Sequence, residues 1–244
     1  LFLYNTFTPA LVQWSPIYFL YVFTFLFFMQ ATIDQLHALS KQALTAPLSD
    51  AHYELGVNDL SGLFDAFYEQ HRSMFVDTVG YHGKFSGGRT QRGVYWSSGS
   101  HLAVSFMREA DLARQRVLDL GSGLGDACLL LDVLFGSKVD GIEYDVDLAM
   151  IAKKRLGWFR SQGLGLKTSV SQGDFLEADV SGYVSLYYFQ AGSDHKLLVQ
   201  KLCDEMRPGQ KLAVFAYDDG SHGLHQLKKK LTYEPFSLGA TFTR

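Results

Sequence analysis

Val117-Leu-Asp-Leu-Gly-Ser-Gly-Leu-Gly-Asp126 is the stretch that decides the fold of this chain. Arg116 to Leu120 reads as a short buried strand. It runs into glycines at 121, 123 and 125, which open a helix over Asp126 to Phe135. Glycine lets a backbone turn left-handed and approach a ligand closely, and a helix amino terminus offers unpaired N–H groups. Outward from this turn, Lys138 to Tyr144, Thr168 to Gln172, Tyr183 to Phe189 and Lys211 to Tyr217 read as strands. His101 to Ala113, Asp147 to Arg160 and Asp194 to Met206 read as the helices between them. Such alternation implies right-handed crossovers and a mostly parallel sheet with helices on both faces, an α/β doubly wound domain.

Three features narrow the ligand. The spacing is G-x-G-x-G, whereas the dinucleotide fingerprint is G-x-G-x-x-G. Asp119, two residues before the first glycine, repels a pyrophosphate and pairs with an ammonium group. Glu143 ends the following strand in Asp140-Gly-Ile-Glu-Tyr-Asp145, about 20 residues on, where an acid accepts both hydrogen bonds of a ribose diol. A nucleoside with a cationic tail and no phosphates satisfies all three. S-adenosylmethionine fits; NAD and ATP fit badly.

On these residues the chain resembles the class I S-adenosylmethionine-dependent methyltransferases over about residues 94 to 217. The resemblance implies a Rossmann-like sheet of the seven-stranded type, with Leu231 to Phe242 supplying one or both closing antiparallel strands. It implies cofactor contacts from Asp119, Gly121, Ser122, Gly123, Gly125 and Glu143. Gln172-Gly-Asp-Phe175 is similar to the segment that caps the adenine. Asp174 would then accept from the exocyclic amine, with the Phe175 amide near a ring nitrogen and Tyr144 packed on the ring. Gly93-Val-Tyr-Trp-Ser-Ser-Gly99 resembles the segment that closes over the methionine end in several protein-lysine methyltransferases. Tyr95, Trp96 and Ser97 then either line the transfer site or fill a gap between helix and sheet.

The fourth strand lacks the Asn/Asp-Pro-Pro-Tyr of amino-directed DNA, RNA and glutamine methyltransferases; Tyr187-Tyr-Phe-Gln-Ala-Gly-Ser-Asp194 stands there. With the aromatic segment upstream and the apolar amino terminus, this resembles membrane-anchored mitochondrial protein-lysine methyltransferases. The expected acceptor is a protein lysine, with a small molecule as the alternative. Tyr95, Tyr187 and Gln190 are the candidates to orient the nucleophile.

The composition divides the chain. Its 244 residues carry a net charge of −3 and are 14% aromatic. The slight acidity argues against general nucleic-acid binding, and the two cysteines, Cys128 and Cys203, exclude a disulfide framework. Residues 1 to 33 contain no charge and no histidine, and eleven of the first 28 are aromatic, from Phe2 to Phe28. The apolar run through residues 11–33 reaches the roughly 20 residues a membrane span needs. It is either a membrane anchor or an upstream extension before Met29; a cleaved signal peptide lacks its cationic region and cleavage site. A genuine anchor implies a membrane-associated protein with its catalytic domain on a reducing side, as in mitochondria. An extension implies a cytoplasmic enzyme. Residues 34–93 are expected to be helical and to end in an exposed loop from Gly80. One amphipathic helix runs through Ile33, Leu36, Leu39 and Leu44 and ends before Pro47, and another follows at helix-like spacing from Asp59 to Phe75. Residues 94–244 are expected to form the methyltransferase domain, with a carboxyl terminus that ends early.

Weaker features carry ordinary explanations. His222-Gly-Leu-His225 lacks a third metal ligand, so no metal is expected. Lys228-Lys-Lys230 reads as a solvated charge run. A non-catalytic cofactor-binding scaffold remains the competing class.

Overall fold

The computed structural model describes residues 16–76, 88–90, 93–95, 100–189, 195–215 and 224–244. Side chains at 16–26, 75–76, 88–90, 93–95, 100, 195 and 224–225 are outside that description. The helices are α1 (Pro16–Ala43), α2 (Asp50–Gln70), α3 (Arg72–Val76), α4 (Ser100–Glu109), α5 (Asp126–Phe135), α6 (Val146–Ser161) and α7 (His195–Glu205). The strands are β1 (Gly88–Thr90), β2 (Gly93–Tyr95), β3 (Arg116–Leu120), β4 (Lys138–Glu143), β5 (Ser169–Gln172), β6 (Ser185–Phe189), β7 (Lys211–Phe215), β8 (Thr232–Phe236) and β9 (Gly239–Thr243).

Seven strands form one sheet in the order β5-β4-β3-β6-β7-β9-β8. The first five are parallel, and β9 runs antiparallel to both β7 and β8, so the sheet is mixed. Central β3 has Val117, Leu118, Asp119 and Leu120 all buried, as a parallel strand covered on both faces requires. One core lies between the sheet and α4, α5 and α6, with α1 and α2 as an outer layer on α5. The other lies under α7. Strand order reverses between β3 and β6, and in such sheets the crevice at the strands' carboxyl ends receives the ligand.

The amino-terminal region departs from the sequence expectation in two places. Ser49 caps α2 by accepting from the His52 amide, so that helix begins at Asp50 and not at Asp59, and Arg72–Val76 forms a separate short helix. Within the expected loop from Gly80 to Gly93, residues 88–90 pair antiparallel with 93–95.

Helix α1 runs unbroken past residue 33. Its Ile33, Leu36, Leu39 and Ala43 are buried in the domain core, an amphipathic face at helical spacing. Among the described residues no helix is long and apolar enough to cross a membrane. Of the anchor expected over residues 11–33, residues 11–15 lie outside the described residues, as do the side chains of 16–26.

Candidate functional site

The glycine turn is built by three left-handed residues, Gly121 (φ 91°), Gly123 (φ 53°) and Gly125 (φ 77°), where a side chain would be strained. The Gly121 and Ser122 amides donate to the Ile142 carbonyl at 2.9 and 3.0 Å, and the Gly125 amide donates to the Ser122 carbonyl at 2.7 Å. These bonds press the turn onto the end of β4. Gly141 makes the approach possible: a Cβ there would stand 2.8 Å from Cys128 Sγ and 2.8 Å from Ser122 Cβ. Among the described residues, a Cβ on Gly121 would meet nothing within 4 Å. No described residue presses on the turn from that side, while its other side is closed by the core.

Glu143 faces the same turn. Its Oε2 accepts from the Gly123 amide at 2.7 Å and its Oε1 from the Asp145 amide at 2.8 Å. Burial raises this carboxyl above the usual range, opposed by those two hydrogen bonds and reinforced by the Asp145 charge. Asp145 caps α6, accepting from the Asp147 and Leu148 amides at 3.0 and 3.1 Å. The cap thus sets where β4 ends and where Glu143 points. A carboxylate has about four lone-pair directions, so a diol can bind beside the two amides.

Asp119 lies at the carboxyl end of β3, 2% exposed. Burial pushes its carboxyl up to about 7. A hydrogen bond from the Cys128 thiol at 3.3 Å opposes this, and the charges of Glu143 and Asp126 add to it. Tyr187 is the register partner of Asp119 on β6 and is buried at 1% exposure. Its hydroxyl and the Ser122 Oγ are buried without a hydrogen-bond partner among the described residues. Burial, then the Asp119 charge, raises Tyr187 well above its ordinary value. It can orient a nucleophile as a neutral phenol, and accepting a proton as phenolate is disfavoured.

The expected adenine segment follows β5. The Gly173 amide donates to the Glu143 carbonyl at 2.9 Å, joining the ends of β4 and β5. Asp174 is half-buried and accepts from the Leu176 amide at 2.9 Å, which shapes the turn. Phe175 packs edge-on to Tyr188 with ring centroids 6.3 Å apart. Tyr144 is half-buried beside Glu143, and its carbonyl accepts from Gln172 Nε2 at 3.3 Å. The ends of β3, β4 and β5 thus gather Asp119, Gly121, Ser122, Gly123, Gly125, Glu143, Tyr144, Asp174 and Phe175. Tyr95 belongs to β2, but its side chain, like Trp96, Ser97, Gln190 and the pair His222 and His225, lies outside the described residues or side chains.

Three contributors were not legible beforehand. Cys128 reaches Asp119 from the first turn of α5. Arg155, buried on α6, pairs with Asp126 at 2.6 Å and donates to the Leu124 carbonyl, tying α6 to the turn. Gly141 admits Ser122. Each depends on elements that meet only in the fold. Lys228, expected to be solvated, sits over the Tyr233 ring at 4.0 Å.

No family model and no curated protein matches the chain. Among solved structures it is similar to a mutant of MtNAS in complex with S-adenosylmethionine, at 12% identity and a TM-score of 0.50. That match covers 86% of this chain and 71% of the other. The fold is that of the class I S-adenosylmethionine-dependent methyltransferases. The chain is also similar to an RNA methyltransferase from Salinibacter ruber in complex with S-adenosyl-L-homocysteine, at 22% identity and a TM-score of 0.46, covering 58% of this chain and 88% of that one. A protein-L-isoaspartate O-methyltransferase matches at 19% identity and a TM-score of 0.42, covering 57% and 41%. In this fold the glycine turn stands at the end of β3, beside the reversal of strand order, and Glu143 at the end of the adjacent β4.

Proposed function

We propose that the chain binds S-adenosylmethionine and transfers its methyl group to an acceptor. One observation carries the reading: Glu143 and the glycine turn are joined by the Gly123 hydrogen bond, on a side of the turn that no described residue crowds. The residues present fit the cofactor. Glu143 takes the ribose diol, Asp119 the ammonium, and Asp174 with the Phe175 amide the adenine edge, while Tyr144 packs on its ring. The turn from Gly121 through Ser122 and Gly123 to Gly125 lets backbone lie against the ligand, and Ser97 closes over its methionine end. The bound cofactor supplies an electrophilic methyl on a sulfonium. The protein's own part is orientation and exclusion of water.

The acceptor is proposed to be a protein lysine, oriented by Tyr95, Tyr187 and Gln190. A small molecule is the alternative, and a cofactor-binding scaffold the non-catalytic one. If residues 11–33 anchor the protein, the acceptor is reached from a membrane.

Isothermal titration with S-adenosylmethionine and with NAD tests the site. Binding of the first alone is expected, and its failure to bind overturns the proposal. Radiolabelled methyl transfer in a lysate, followed by digestion, separates protein from small-molecule products. Binding without transfer identifies a scaffold.

A further inference from the structure

Under the glycine turn, four polar side chains from four parts of the chain share one buried region. They are Asp119 on β3, Cys128 on α5, Tyr187 on β6 and Ser122 in the turn. Buried polar groups nearly always find partners, yet the Tyr187 hydroxyl and Ser122 Oγ have none among the described residues. Asp119 has one from Cys128, whose Sγ lies 3.3 Å from Oδ2. The charged and titratable groups acting on this pair are Glu143 from β4, Asp126 from α5, Tyr187 from β6 and Arg155 from α6. Among the described residues acting on the pair the carboxyls outnumber the guanidinium of Arg155, which is already paired with Asp126. An empty site therefore holds a carboxyl with little to stabilise its charge. An arriving ammonium supplies what is missing.

We propose that Cys128 is a positioning residue of the cofactor site. Its thiol holds Asp119 for the ammonium, and cofactor binding expels the proton that the Asp119 carboxyl carries when the site is empty. The inference rests on the reading under Proposed function. The exchange balances: the Asp119 O–H breaks, its proton passes to solvent, and the ligand's positive charge takes its place against the carboxylate. The thiol keeps its proton throughout, since burial and the Asp119 charge raise Cys128 well above its ordinary value. It is thus a permanent donor. The carboxyl of Asp119, pushed up to about 7, is poised to lose its proton on contact with a cation.

Titration calorimetry of the full chain with S-adenosylhomocysteine, in buffers of different ionisation enthalpy, reads the proton directly. The expected release is close to one proton near pH 6, about half near pH 7 and little near pH 8, following that carboxyl. Asp119→Asn is expected to abolish the release; release that persists assigns the proton elsewhere and overturns the proposal. Cys128→Ala removes the donor, so affinity is expected to fall about tenfold and the release profile to move to higher pH. Cys128→Ser, which restores a donor, is expected to bring both back. A melting curve shows whether each variant folds, and the wild-type release stands as a test by itself if one does not. An S-adenosylhomocysteine analogue lacking the amino group is expected to bind without release. Wild-type binding with no proton released overturns this inference alone. No binding of S-adenosylhomocysteine overturns the proposed function with it.

Discussion

The Glu143 carboxylate is bound to the Gly123 amide at 2.7 Å, so the acid of the second parallel strand and the turn after the first are a single hydrogen-bonded unit. Neither group can shift without the other. The unit also explains why Glu143, although buried, keeps a carboxylate's geometry: two amides hold its two oxygens before any ligand arrives.

Substituting Glu143→Gln replaces one acceptor oxygen with a donor that faces an amide, and it removes the charge. Hydrogen bonds to charged groups contribute about 1.5–3 kcal/mol each, so S-adenosylmethionine affinity is expected to fall about 10- to 100-fold. Calorimetric titration of the variant measures it. Unchanged affinity would place the ribose away from Glu143.

The Arg155–Asp126 pair has side chains only 6% and 16% exposed. Removing one partner of a buried pair leaves an uncompensated charge and costs roughly 3–5 kcal/mol. Arg155→Ala is expected to lose about that much in urea denaturation, and also the bond to the Leu124 carbonyl that steadies the turn. A loss near zero would show that water replaces the guanidinium.

Two glycine substitutions should move stability in opposite directions. At Gly141 a Cβ would lie 2.8 Å from both Cys128 Sγ and Ser122 Oγ, so Gly141→Ala is expected to destabilise by about 1–3 kcal/mol through overpacking. At Gly157, on the exposed face of α6, a Cβ would meet nothing within 4 Å among the described residues, so Gly157→Ala is expected to stabilise by up to about 1 kcal/mol. Thermal melts of the pair, run side by side, give the comparison. Equal shifts would mean that the turn does not press on β4 as described.

Stability should carry the mark of Asp119. Its carboxyl is pushed up to about 7 in the fold, chiefly by burial, from the ordinary 3.8. The folded state therefore binds this proton more tightly than the unfolded chain. The stability it contributes is whole below about pH 4, declines as pH rises and is gone above about pH 7, a span of roughly 4 kcal/mol. Asp119→Asn cannot titrate. The stability difference between wild type and variant should change across pH 4–7 in urea denaturation and level off above. A difference independent of pH would show that the carboxyl is ionised throughout.

Much of the site was legible because its determinants are local. Three glycines at alternate positions after an apolar strand can hardly do anything but turn, and an acid at the end of the next strand must lie beside that turn in a parallel sheet. The spacing of Leu60, Leu63 and Phe67 predicts α2 only from Asp59; its start at Asp50 is set by a single capping serine, Ser49, with Tyr53 and Val57 continuing the buried face. Tyr187 was placed on the right strand, but which way it faces depends on the Asp119 register across β3 and β6.

The alternation of strands and helices, the turn at Gly121–Gly125 and the pairing of that turn with Glu143 were determined by the sequence itself, since short-range periodicity and glycine conformation dictate them. Only the tertiary structure decided that Cys128 meets Asp119, that Arg155 closes on Asp126 and that Gly141 makes room for Ser122. These partners lie nine, 29 and 19 positions apart on separate elements. Their contact follows from how helices cross a twisted sheet and exclude water from its face, which no local pattern encodes.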